Sequence, residues 1–272
     1  MKFDTLIRFA YIETRLYWEG GFTAGNLAKA FGITRQTAQA VIEEYRQQRP
    51  NQMRYDESLK RHVATEEFKP KYIQPNTMPF LEYLRGQNLR EHYLYDESEE
   101  SWSDTSVEDA DQLLRPKLAR EIIQPILAAL RHNQTLWIEY HPVMEEEVRA
   151  RIISPNHLVF ANNRYHLHAY CHKTHSYRDF VLSRIIAVEP AQEEWVSAAG
   201  SEEWQKYVIL RYKPNPELPL EVQKTLLRGY PGSDKGIWEI SCRKNFEFYI
   251  RSKIEKAFDK ARNVPKWVEV NE

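Results

Sequence analysis

The chain has 272 residues, 42% of them apolar and 28% charged, with a formal net charge of −1. That length allows two or three domains, each with its own core, and the longest apolar runs, such as "ILAAL" at Ile126 to Leu130, are far too short to cross a bilayer. The opening stretch mixes charges among apolar residues, unlike a secretory signal, and Cys171 and Cys242 form no disulfide or C-x-x-C pattern, so a soluble, cytoplasmic protein with reduced thiols and no membrane partner is expected.

The first segment reads as three helices. In "FDTLIRFAYIETRLYW", Phe3, Leu6, Ile7, Ala10 and Tyr11 recur at helical spacing, and Gly20-Gly21 ends the pattern. Thr23 is an N-cap candidate for "AGNLAKAF", whose Leu27, Ala28 and Phe31 point inward. Gly32 supplies a tight turn, and Thr34 caps "RQTAQAVIEEYRQQ", with Ala38, Val41, Ile42 and Tyr45 as its core stripe. This is the helix-turn-helix arrangement. Beyond Pro50, "NQMRYDESLKRHVAT" alternates around "DES" as two short strands and a turn, a wing. Residues 1–72 hold twelve Lys and Arg against nine Asp and Glu, a mildly basic head. Such a domain reads DNA by laying its second helix in the major groove. Thr34, Arg35, Gln36, Thr37 and Gln39 are the side chains suited to bases and phosphates there, and Lys60 and Arg61 beside the wing turn suit the backbone or minor groove. One domain neutralises few phosphates, so a homodimer on a two-fold operator is expected.

Prolines at 70, 75 and 79 interrupt regular structure, and residues 91–111 carry nine acids and no Lys or Arg; residues 73–113 therefore read as a linker. A second domain, 114–195, opens near Leu114 with a helix that has Pro125 in its first turn. The period then changes to two. "TLWIEYH", "EVRARIIS", "HLVFA", "RYHLHAYCH" and "YRDFVLSRI" are five strand candidates, suggesting a small barrel or curled sheet. Residues 196–272 alternate strand and helix, from "KYVILRYKP" through "PLEVQKTLLRGY", "GIWEISCRK" and "FEFYIRSKIEKAFDKA" to "KWVEV", an α+β domain expected to make the dimer. The fold class is α+β and multidomain.

Six of the nine histidines lie between His141 and His175. Alternation in "RYHLHAYCH" puts Tyr165, Leu167, Ala169 and Cys171 on a core face and His166, His168, Tyr170 and His172 on the other. His166 and His168 could begin a zinc site with His141 or His157, which would make a metal-dependent hydrolase. No H-E-x-x-H glutamate or cysteine pair accompanies them, and no metal, cofactor or enzymatic activity is expected.

The stretch "RARIISPNHLVFANNRYHLHAYCHKTHSYRDFVLSRI" resembles the WYL domain of bacterial transcription regulators. Pro155 to Leu158, the triplet Tyr165, His166 and Leu167, and Arg178, Phe180, Leu182, Arg184 and Ile185 carry the likeness. Trp and Tyr of the name-giving triplet are replaced by Tyr165 and His166. Together with "RLYWEGGFTAGNLAKAFGITRQTAQAVIEEY", the chain resembles the winged-helix, WYL and C-terminal-extension regulators associated with phage-defence operons. The resemblance implies a central Sm-like β-barrel, a homodimeric repressor, and a nucleotide or oligonucleotide effector. The ligand site it implies draws on Tyr140, Arg151, Ser154, His157, Tyr165, His166, His168, Arg178 and Arg184, a mixture of cations for phosphate and rings for base stacking.

Overall fold

A computed structural model of the protein describes residues 3–85, 110–144 and 147–270; the acidic run expected over 91–111 falls almost wholly outside the described residues. The chain divides into two compact units, Met1–Pro155 with Leu182–Glu194, and Asn156–Val181 with Trp195–Glu272.

In the first unit, helix α1 (Phe3–Trp18) is the hub. The expected stripe is half-buried at Leu6 and Ile7 and buried at Ala10 and Tyr11, and burial then spreads round the helix to Phe9, Ile12, Leu16 and Trp18. The reason is that α2 (Ala24–Phe31), α3 (Arg35–Gln48) and the wing all pack on it. Each large apolar side chain so buried contributes about 1.5–3 kcal/mol. Glu13, 0% exposed, lies inside this core, accepting hydrogen bonds from the Tyr45 hydroxyl at 3.1 Å and from the Lys71 and Tyr72 N–H groups at 2.7 and 2.6 Å. One carboxylate thereby ties α1 to α3 and to the segment leaving the wing. Burial raises its pKa, outweighing the hydrogen bonds that lower it.

Both expected caps form. Thr23 and Asn26 make a reciprocal capping box on α2, and Thr34 Oγ1 accepts from the Thr37 N–H at 3.1 Å at the start of α3. Gly32 closes α2 at φ 61°. The wing is the hairpin of β1 (Met53–Asp56) and β2 (Arg61–Ala64), with Asp56 opposite Arg61. Phe22 adds a third rung by exchanging backbone hydrogen bonds with His62 at 3.0 and 2.8 Å. Gly21, at φ 133°, permits this approach: a Cβ there would stand 2.3 Å from the His62 carbonyl oxygen.

Helix α4 (Thr77–Leu84) stacks Phe80 on Trp18 at 4.7 Å. Helix α5 (Arg120–His132) starts earlier than expected, so Pro125 lies inside it rather than in its first turn. Its ring leaves the Glu121 carbonyl without the usual helical donor, a cost accepted near the N-terminal end. Side chains of α5 cap the end of α1: Gln124 donates to the Tyr17 carbonyl at 2.6 Å and Arg131 to the Trp18 carbonyl at 3.2 Å.

The second sheet has the order β6-β5-β4-β3-β7, built from β3 (Leu136–Tyr140), β4 (Arg149–Ala161), β5 (Arg164–Cys171), β6 (Ser176–Val181) and β7 (Ile185–Pro190). Two sequence expectations change here. "EVRARIIS" and "HLVFA" form one strand, β4, because Pro155 can hold extended backbone without donating to a ladder. "YRDFVLSRI" breaks at the 3₁₀ turn Leu182–Arg184 and supplies both β6 and β7, which lie at opposite edges. Those edges do not pair, so the described strands make an open sheet, not the closed Sm-like barrel expected. Asn162 and Asn163, at φ 49° and 60°, give the two-residue turn between β4 and β5.

In the second unit, β10-β8-β9 is a three-stranded sheet of β8 (Tyr207–Pro214), β9 (Trp238–Arg243) and β10 (Trp267–Glu269). Helix α6 (Leu220–Leu227) follows β8. Leu210, Tyr212 and Cys242 pack against Ile254 of helix α7 (Glu247–Glu255). A second cluster joins Val159 of β4 to Ala198 and Trp204.

Candidate functional site

Two polar groupings stand out, one in each unit. On α3, burial of Ala38, Val41, Ile42 and Tyr45 turns Thr34, Arg35, Gln36, Thr37 and Gln39 outward, and all five are exposed. The side chains of Arg35, Gln36 and Gln39 make no hydrogen bond or ion pair among the described residues. The free N–H groups of the first turn of α3 add a site that favours phosphate. Lys60 is exposed in the left-handed region at φ 51°, and Arg61 is half-buried at the base of the turn. The turn is firm. Asp56 Oδ1 accepts from the Ser58 N–H, the Ser58 hydroxyl and the Leu59 N–H at 3.1, 2.6 and 3.0 Å, and Arg54 sits 3.0 Å from its other oxygen. The Ser58 hydroxyl first, then the Leu59 N–H and Arg54, hold the Asp56 carboxyl at about 2. Burial lowers the pKa of His62, on the wing, and the charge of Arg46 on α3 lowers it further.

The residues expected to hold an effector fall in both units. Tyr140, Arg151, Ser154 and Arg184 belong to the first unit, where Tyr140 faces Arg149 and Ile185 across the strands, Ser154 is buried, and the Arg184 carbonyl accepts from the His141 N–H at 3.0 Å. His157, Tyr165, His166, His168 and Arg178 belong to the second. Even there they are split. Strand β5 pairs with β6 so that Ala169 faces Arg178 and His168 faces Asp179. Directly opposed residues share a face, which puts Arg178, with Tyr165, on the Leu167 side and the two histidines on the other. Arg178 is exposed, its Nε donating to Thr174 Oγ1 at 3.1 Å, whereas Tyr165 is buried edge-on to Phe160.

The histidine row is buried as well: His166 is 7% and His168 1% exposed. Residues that the sequence did not single out cover it. His168 Nδ1 lies 2.6 Å from Asp179 Oδ1, and its ring stacks on Trp204, which in turn stacks on His157 at 4.0 Å. The Tyr249 hydroxyl donates to Asp179 Oδ2 at 2.6 Å and stands 3.3 Å from His166 Nδ1; Asn245 Nδ2 is 3.4 Å from the same carboxylate oxygen. Tyr249 has one proton and gives it to Asp179, so its contact with His166 needs an N–H at Nδ1. His166 Nε2 faces the Ala161 carbonyl at 3.3 Å. Burial works to raise the Asp179 pKa, but the hydrogen bonds from His168 and Tyr249 and the charges of His168 and His166 outweigh it and hold the carboxyl below its ordinary value. His157 is lowered, by burial first and then by His168 and Arg243. The four-residue turn His172–His175 fixes the register that sets Asp179 opposite His168, a signal present in the sequence. Trp204, Asn245 and Tyr249 lie too far along the chain for local pattern to reveal.

An exposed recognition-type helix beside a firm wing, followed by a second domain built on a five-stranded sheet, is the arrangement of a winged-helix regulator. Residues 4–86 match the family described as the BrxR transcriptional regulator winged helix-turn-helix domain, and residues 121–190 match the WYL domain. The chain carries the winged helix-turn-helix and WYL domains of a WYL-domain transcriptional regulator, a regulator rather than an enzyme. Among curated proteins it is similar to the DNA-binding transcriptional repressor CapW of Escherichia coli (strain KTE188), 28% identical over 243 residues that span 89% of this chain and 80% of the relative. CapW of Pseudomonas aeruginosa is 27% identical over 263 residues, 97% of this chain and 87% of the relative. Of solved structures, proteasome accessory factor B/C (PafBC) of Arthrobacter aurescens aligns with 99% of this chain and 46% of its own at a TM-score of 0.29 and 16% identity, too loose a superposition to bear on the fold.

Proposed function

We propose that this chain is a DNA-binding transcriptional repressor that places the start of α3 in the major groove of an operator in front of its own operon. The observation that carries the reading is the exposed set Thr34, Arg35, Gln36, Thr37 and Gln39 over a fully packed Ala38–Tyr45 stripe. The names of the CapW relatives support it. Arg35 suits guanine, Gln36 and Gln39 suit adenine, and Thr34, Thr37, Lys60 and Arg61 suit phosphates. In this reading residues 1–72 bind DNA, 73–113 link, 114–195 sense and 196–272 pair two copies on an inverted repeat. The protein works in the cytoplasm and its operon is of the defence type, as the resemblance to phage-defence regulators implies.

The WYL region takes a nucleotide or oligonucleotide effector whose different affinity for two dimer states shifts operator occupancy. Exposed Arg178 and half-buried Arg151 and Arg184 are the cations that favour a polyanion. Mass spectrometry of whatever co-purifies is the direct check on this half.

The test of the first half is a gel shift of the chain on a duplex from its own upstream region at low salt. A selective complex is expected. Arg35→Ala with Gln39→Ala should weaken it by about tenfold or more, as loss of base contacts does. No selective complex, or a double variant that binds as the parent does, overturns the reading.

A further inference from the structure

The wing tip carries a side chain for which the fold has no use. Leu59, 61% exposed, projects from the turn Glu57–Lys60, belongs to no core cluster, and is more exposed than Tyr55 and Leu84, the other large apolar side chains exposed in residues 3–85. A mobile loop would account for that cheaply, but this turn is fixed by Asp56, which accepts from both backbone N–H groups that lead up to Leu59 and from the Ser58 hydroxyl. Arg54 occupies the other oxygen of Asp56. The next two residues, Lys60 and Arg61, are cations without a carboxylate partner among the described residues, and Lys60 adopts the left-handed conformation that turns the chain into β2. An aliphatic group on a stiff stalk, followed at once by two free positive charges, suits a surface that is apolar within and anionic at its rims. The minor groove of double-stranded DNA is such a surface: sugars wall it, phosphates line it, and apolar side chains enter it beside Lys or Arg.

We infer that Leu59 is an apolar minor-groove contact of the wing, flanked by Lys60 and Arg61 on the phosphates. The inference rests on the DNA-binding reading above and adds Leu59 and the apolar kind of contact. Because the turn is already ordered, Leu59 loses little freedom when it is covered. Glu57, exposed in the same turn, is a negative charge that opposes the contact.

The experiment is a salt series of binding constants on the upstream duplex for the parent, Leu59→Ala, Lys60→Ala, Glu57→Gln and Arg35→Ala, with sedimentation to follow the oligomeric state. Leu59→Ala should bind about tenfold more weakly with an unchanged slope of log affinity against log salt, since the lost contact is apolar. Lys60→Ala should weaken binding and reduce that slope by about one. Glu57→Gln should strengthen it. Netropsin, which fills the minor groove, should compete with the parent and much less with Leu59→Ala.

Parent-like binding by Leu59→Ala, while Arg35→Ala fails, overturns the wing contact and leaves the DNA reading standing. If Leu59→Ala changes the oligomeric state instead, the residue docks protein and the inference is wrong. Should the parent itself form no selective complex, both fall.

Discussion

The polar side of α3 and the polar side of β5 alternate with apolar residues in the same orderly way, yet Arg35, Gln36 and Gln39 stand in solvent while His166 and His168 lie under Trp204, Asn245 and Tyr249. Periodicity reports which side of an element a residue occupies. It says nothing of what arrives later in the chain to cover that side. On α3 the side chains of Arg35, Gln36 and Gln39 have no partners among the described residues and are available to a ligand. On β5 they have partners within the chain, organised round a single carboxylate, and their first role is to hold that part of the protein together.

The contrast breaks first at Asp179. Asp179→Ala strands His168, Tyr249 and Asn245 in a buried setting and should cost about 3 kcal/mol of unfolding free energy in urea denaturation. A loss below about 1 kcal/mol would mean that the buried row is not structural. Arg35→Ala with Gln39→Ala is the counterpart: operator affinity falls, whereas stability stays within about 0.5 kcal/mol, because both side chains are exposed.

Thr34→Ala lies between the two. It removes the cap on the Thr37 N–H and should lower stability by about 1 kcal/mol, with Thr34→Asn restoring it. The smallest effects are in pH. Folding lowers the Asp179 pKa, so its contribution is complete above the ordinary aspartate value and is lost as pH falls through the lowered one. Glu13 is raised, so its contribution is complete below the ordinary glutamate value and fades as pH rises through the folded one. Denaturation midpoints across pH should lose the first slope in Asp179→Asn and the second in Glu13→Gln.

The winged helix was open to local reading because its signals are local: two threonine caps, a left-handed Gly32, and a stripe from Ala38 to Tyr45 that is buried residue for residue. The C-terminal strands and helices also lie where their alternation placed them, although α7 stops at Glu255, short of the helix expected through Ala261. What failed was partnership. Pro155 reads as a break, yet extended backbone carries β4 through it. Ser183 lies in a run of strand-like residues, yet the chain turns there and sends β7 to the far edge. Arg178 and His168 read as one ligand set, yet register puts them on opposite faces. Each error comes from a pairing between strands, which local composition does not encode.

Gly21 carries a consequence larger than its size. With only hydrogen in place of a methyl group, the entry to α2, the first helix of the helix-turn-helix, lies flush against the middle of β2, so the helix-turn-helix and the hairpin share one backbone rung. The span between the two grooves they would occupy is therefore set by main chain instead of by adjustable side chains, and an added carbon atom there would widen it.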